Sequence, residues 1–192
     1  MLNKPRIIAV TGGSGVGKGE ACRILAGGGA EIIDADSVSH KMIKRGNPAY
    51  SPVLQEFGNG ILGEDGEIDR KKLGAIVFAD KTRLAALSAI VHPIVREYCE
   101  DIVRHTKSDT VVIDAPALIE GNMQGMCDII IGIFAHRDLR LARIISRDKI
   151  SREAAEKRIN SQMADDVLRG YVDIAINNNG TLQELEENLR EI

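Results

Sequence analysis

Tryptophan is absent from the 192 residues and aromatics make up only 3% of them. Any core must therefore be aliphatic, and the stacking platforms that single-stranded nucleic acid needs are missing. Only three cysteines occur, Cys22, Cys99 and Cys127, none close to another in the chain. Such a set offers neither a disulfide scaffold nor the ligand spacing of a zinc site, and it reads as reduced, buried thiols in a cytoplasmic protein. Positive charge is not in excess: the net charge is −3, so no global basic field recruits DNA or an anionic membrane. No apolar run approaches a membrane span, and Met1 to Arg6 leads straight into a strand-like segment rather than a signal peptide. Repeats and low-complexity tracts are also lacking. What is present, 44% apolar and 28% charged residues, suits one compact domain with a buried core.

Arg6 to Thr11 is a continuous apolar run, as a strand buried on both faces requires. A glycine-rich turn follows, then a helical pattern from Lys18 to Ala26 that stops at Gly27-Gly28-Gly29. Further strands are expected at Ala30–Ile33, Thr110–Ile113, Asp128–Phe134 and Val172–Ile176. Strands alternating with helices predict an α/β fold with a parallel sheet. Between the second and third strands, Ala49–Phe57, Arg70–Ala79 and Lys81–His105 carry apolar residues at helical spacing, the last with a kink expected near His92-Pro93. That helical insertion is too large for a simple crossover and is expected to cover the sheet edge where a substrate binds.

Gly12-Gly13-Ser14-Gly15-Val16-Gly17-Lys18 satisfies G-x-x-x-x-G-K, after a buried strand and at the opening of a helix. Glycines let successive backbone N–H groups curl around an anion, the helix N-terminus adds partial positive charge, and Lys18 reaches the terminal phosphates. A dinucleotide-binding turn is the rival, with Asp34 as the ribose acid. No glycine triplet here has the G-x-G-x-x-G spacing, however, and Lys18 would have no role. The Ser or Thr that usually follows the lysine and contacts Mg²⁺ is Gly19, and Glu20 comes next. Two readings compete: water fills that part of the metal shell, or Glu20 repels the phosphates.

The base-reading and switch motifs of GTPases do not occur. Instead the second strand ends in Asp34-Ala35-Asp36, with His40 one helical turn on. In an open parallel sheet the carboxyl ends of neighbouring strands face one crevice, which brings these acids towards the phosphate held by Lys18. Transfer of a phosphoryl group to an alcohol needs an acceptor for the hydroxyl proton, a role an Asp fills. An Asp at a strand–helix junction also caps helices, so one acid can cap while the other acts. From Arg137 to Arg158 the chain carries eight Lys or Arg against four Asp or Glu. Arg140, Arg143 and Arg147 share a helical face, suited either to phosphoryl charge under a lid or to plain solvation. Arg152 and Arg158 flank a second short helix there. His92, Cys99 and His105 lack close partners and read as structural, and no residue is assigned to a metal.

With these pieces in place the sequence resembles the dephospho-CoA kinases. The match includes Thr11-Gly12-Gly13 to Gly17-Lys18, Ile33-Asp34-Ala35-Asp36, Asp69-Arg70, Val77-Phe78, His92-Pro93 and Asp114-Ala115-Pro116-Ala117-Leu118-Ile119-Glu120. It continues through Arg140-Leu141, Arg147-Asp148, Arg158-Ile159, Gln162-Met163 and Asn178-Asn179-Gly180. The resemblance implies a P-loop kinase that phosphorylates the ribose 3′-hydroxyl of dephospho-CoA with ATP and Mg²⁺, the last step of CoA synthesis. It implies a nucleotide core (residues 1–45, 108–136 and 170–192), a helical acceptor-binding insertion (46–107) and a lid (137–169). It assigns Asp36 as general base with Asp34 nearby, Gly13, Ser14, Gly15, Val16, Gly17, Lys18 and Gly19 to the ATP phosphates, Arg140 or Arg147 to the lid, and Arg70 and His92 to the acceptor site. Four departures from the family pattern stand out: Gly19-Glu20 in the loop, Ala117 for Leu, Ala164 with Val167-Leu168 after Gln162-Met163, and Asn177 for Asp. A kinase of the same architecture for another nucleoside-like alcohol, and a nucleotide-binding protein without transfer activity, are the alternatives. Oligomeric state is not legible in the chain.

Overall fold

The computed structural model describes residues 4–190 and 192. Met1–Asn3, part of the segment expected to lead into the first strand, lie outside the described residues, and Lys4-Pro5 run directly into β1 (Arg6–Thr11). The further strands are β2 (Glu31–Asp34), β3 (Thr110–Asp114), β4 (Ile129–Phe134) and β5 (Ile174–Asn177). All pair in parallel in the order β2-β3-β1-β4-β5. β2 and β5 begin one and two residues later than the apolar runs suggest, because strand pairing, not apolarity, sets their ends.

Alternate residues of β1 serve opposite faces of the sheet. Ile7 and Ala9 join a large apolar cluster with the insertion, while Ile8 and Val10 pack with Ala21, Cys22, Leu185 and Leu189. That second face is covered by α1 (Lys18–Ala26) and α9 (Leu182–Leu189). Periodicity alone did not predict α9. Its signal is a capping box, with Thr181 and Glu184 bonding each other's backbone N–H ahead of Leu182, Leu185 and Leu189.

The first face carries α2 (Ala35–Met42), α3 (Tyr50–Phe57), α4 (Arg70–Val77) and α5 (Lys81–His105). Val91, Val95, Cys99 and Val103 recur every four residues and bury one stripe of α5. That stripe holds the helix as one uninterrupted element through Pro93, although proline cannot donate to the Ala89 carbonyl. Asp69 and Asp80 cap α4 and α5 by accepting backbone N–H bonds. The remaining helices, α6 (Arg137–Asp148), α7 (Arg152–Asn160) and α8 (Asp165–Arg169), follow β4. Leu141, Ile144, Ala155 and Ile159 give α6 and α7 a small core of their own. Among the described residues no helix is long and apolar enough to cross a membrane.

Candidate active site

Register places the chemistry. Val10 pairs with Asp114, and Asp114 pairs in turn with Asp34, so three strand ends form one row. The winding of the chain reverses at β1, with β2 and β3 on one side and β4 and β5 on the other, and ligands of open α/β sheets bind beyond the carboxyl ends at such a point. A cleft of about 440 Å³ opens there, lined by Gly13 to Gly15 and Gly17 to Gly19 of the loop, by Asp34, Asp36 and Asp114, and by Arg143, Arg147 and Gln162.

Side chains from distant parts of the sequence tie down the loop's carbonyls. Arg143 donates to the carbonyls of Gly15 and Val16 (3.3 Å each) and of Asn178 (3.2 Å), and Asn178 Nδ2 donates to Val16 O at 2.8 Å. Gly17 is left-handed at φ 98°, and a Cβ there would lie 2.4 Å from Asn178 Nδ2, so only glycine fits. Of the loop residues expected at the phosphates, Val16 does not line the cleft: its side chain is fully buried in the sheet core. Lys18 Nζ donates to Gly13 O at 3.4 Å. Burial lowers the Lys18 pKa, against the pull of Asp114 and Asp36, which raise it.

The two acids of β2–α2 divide their work. Asp34 caps α2: one carboxylate oxygen accepts Ser37 N–H (3.0 Å) and the other Ser37 Oγ–H (2.7 Å). Asp36 is exposed, and its carboxylate has no hydrogen bond among the described residues. It lines both the cleft at the loop and a second cleft of about 470 Å³ beneath the insertion. That second cleft is mostly apolar, with Leu73, Val77, Leu87 and Val91 on its walls and Phe78, 82% exposed, at its rim. Arg70 and His92 line it as well, and His40 Nε2 accepts from Arg70 Nη2 at 2.5 Å. Burial lowers the His40 pKa and Arg70 lowers it further, which keeps the imidazole neutral and able to accept. His92 Nδ1 lies 2.9 Å from Glu120 O, which ties α5 to the loop after β3.

The arginines of α6 take different places. Arg140 is 5% exposed and lies behind the loop rather than in the cleft. Its Nε donates to Ser14 O (2.9 Å), its Nη1 to Asp165 (3.1 Å) and its Nη2 to Gln162 Oε1 (3.4 Å). Neither Arg140 nor Arg143 is solvated as an amphipathic surface would have it. Arg147 faces the cleft, held by Asp148 at 2.7 and 3.0 Å, and Arg158 binds the same carboxylate. Arg147, with Arg158, holds the Asp148 pKa down at about 2.

Asp114 was not assigned a role from sequence. Burial pushes its carboxyl pKa up, with Lys18 opposing it and Asp34 and Asp36 adding to the effect, and its buried Oδ1 has no hydrogen-bond partner among the described residues. An acid closing a buried strand beside the loop strand was the available signal. Apart from its chain neighbours and its own helix backbone, Gly19 has no atom among the described residues within 4 Å of where a Cβ would stand. Glu20 does not line the cleft, and its carboxylate pairs with Arg23 at 2.6 Å. The loop's acid therefore turns away from the cleft and along its own helix.

The dephospho-CoA kinase (CoaE) family model matches residues 6–184. A dephospho-CoA kinase of Thermobifida fusca is 37% identical over 186 residues, covering 96% of this chain and 93% of that protein. Among solved structures, TT1252 from Thermus thermophilus superposes with a TM-score of 0.84 at 28% identity, covering 98% of this chain and 96% of that one. A dephospho-CoA kinase from Campylobacter jejuni gives 0.68 at 26% identity, covering 96% and 94%. With a family match spanning the loop, the insertion and α6 to α8, the chain belongs to the dephospho-CoA kinase family.

Proposed function

We propose that this chain transfers the γ-phosphoryl group of ATP to the ribose 3′-hydroxyl of dephospho-CoA, the closing step of CoA synthesis. One observation carries the reading: Asp36 is the carboxylate shared by the phosphate cleft and the apolar cleft under the insertion. The first cleft suits a polyphosphate, lined by a glycine-rich loop at a helix N-terminus and by Lys18. The second, with apolar walls and Arg70 at its edge, suits an acceptor that carries both a long uncharged arm and phosphate.

At the junction Asp36 accepts the proton of the acceptor hydroxyl while the new O–P bond forms and the bond to ADP breaks. Lys18 and the loop N–H groups balance charge on the transferred group. Arg147 supplies a further cation from α6, and Arg140 holds the loop from behind. Residues 46–107 act as the acceptor-binding unit and 137–169 as the lid.

The residues present fit a magnesium ion that arrives with the nucleotide. Among the described residues no three acidic, histidine or cysteine groups converge tightly enough to hold a metal by themselves. Asp114 Oδ1 nevertheless stands buried and unpartnered beside the loop. Magnesium commonly takes one or two carboxylates and fills its octahedron with water and phosphate oxygens, so Asp114 would hold it, with water where Gly19 lacks a hydroxyl, while both Asp34 oxygens accept from Ser37. When bound, the ion supplies neutralisation of phosphate charge.

The test is ADP release with dephospho-CoA beside a panel of nucleosides and nucleotides. Release that depends on dephospho-CoA supports the reading. Equal or better release with simple nucleosides, or ATP binding with no turnover on any acceptor, contradicts it.

A further inference from the structure

The P-loop of this protein does not present all its donors to the cleft. Ser14 N–H donates to Gln162 Oε1 at 2.8 Å, across 148 residues of sequence. The same oxygen receives Arg140 Nη2 at 3.4 Å, and Gln162 Nε2 donates to Ser14 Oγ at 3.2 Å. Two donors converging on one atom fix which end of the amide is oxygen. Gln162 also lines the phosphate cleft, so its amide stands inside the space that a polyphosphate needs.

The end of the loop it occupies can be located. Lys18 Nζ lies against Gly13 O, immediately before Ser14, and the lysine of this motif reaches the terminal phosphates. Ser14 therefore belongs to the terminal-phosphate edge of the cradle. A single N–H cannot serve both a glutamine oxygen and a phosphate oxygen at full strength.

Behind the loop the same glutamine is wired to α8. Arg140 joins Gln162 Oε1, Ser14 O and the Asp165 carboxylate in one cluster. Gly13 exists as glycine because of that cluster: a Cβ there would lie 2.1 Å from Arg140 Nη2 and 3.1 Å from Gln162 Oε1.

We propose that Gln162 is a specificity-determining residue whose side-chain amide stands in for the γ-phosphate. ATP displaces it from Ser14, ADP leaves it in place, and Arg140 with Asp165 passes the change to α8. The inference rests on the reading of the cleft as a nucleotide site.

Two variants, titrated calorimetrically with ATP and separately with ADP, test it. Q162L removes the competitor at similar volume and raises the ratio of ATP to ADP affinity roughly two- to tenfold, the worth of one neutral hydrogen bond. Q162E keeps the shape, binds Ser14 N–H and Arg140 more strongly and repels the γ-phosphate, so the ratio falls roughly tenfold or more. An unchanged ratio in either variant, including equal weakening of both nucleotides, overturns the proposal and leaves Gln162 a brace of the loop. If the wild-type chain binds neither nucleotide, the reading of the cleft fails together with the proposal, which separates the two failures.

Discussion

Gly13→Ala probes how the phosphate loop is held. The added methyl meets the Arg140 guanidinium at 2.1 Å from Nη2 and 2.9 Å from Cζ. That guanidinium is the end of a flexible side chain, but it is 5% exposed and fixed by Ser14 O, Asp165 and Gln162. To make room it must leave these partners. Breaking a buried ion pair costs about 3–5 kcal/mol, and because the Asp165 side chain is 34% exposed and can be rehydrated, the lower end, about 3 kcal/mol, applies. For a chain of this size that corresponds to a fall in Tm of about 6–12 °C. The decisive assay is a double-mutant cycle with Arg140→Ala, followed by thermal unfolding. With Arg140 already truncated, Gly13→Ala should cost little further. If the two losses simply add, the methyl acts elsewhere and Arg140 is not what holds the loop.

Two other outcomes are expected. Gly19→Thr should fold normally, since nothing beyond its chain neighbours and own helix backbone lies within 4 Å of the new Cβ, and should lower the Mg²⁺ concentration for half-maximal turnover by supplying a hydroxyl; a magnesium titration checks it, and an unchanged midpoint would show that water serves there as well. Asp148 has its folded pKa lowered from 3.8 to about 2 by Arg147 and Arg158, so its contribution is present above pH 3.8 and lost as pH falls through about 2. Tm of wild type and Asp148→Asn, measured from neutral pH downwards, should therefore converge across that window.

Much of the fold was legible because its signals are local. The continuous apolar run ending in Gly12-Gly13 marks a strand buried on both faces, and Gly12 to Lys18 marks the loop by its spacing between that strand and a helix, whereas β2 is an edge strand with Ile32 43% exposed. α9 is absent from the sequence expectations, because apolar periodicity over eight residues is weak, and its available signal is the Thr181 and Glu184 pair. The support of the loop was not legible. Asn178 reaches Val16 across 162 residues and Gln162 reaches Ser14 across 148, and no local period encodes such meetings. Arg140 misleads for a related reason. On a helix whose other face is apolar, an arginine reads as solvated or as facing a ligand. It is buried because glycine at position 13 lets the loop backbone settle on its guanidinium. Asp34 and Asp36 carry the same side chain two residues apart, and what separates them is Ser37, which takes both oxygens of the first.

The central claim is that Asp36 receives the proton where two clefts meet. Single-turnover kinetics of Asp36→Asn with ATP and dephospho-CoA test it most directly, with ATP affinity measured on the same protein. Turnover should fall about 10²–10⁴-fold, the usual worth of a general base, while ATP affinity and Tm stay close to wild type, because Asp34 rather than Asp36 caps α2. Near-normal turnover, or a loss explained by weaker ATP binding or a lower Tm, would contradict the account.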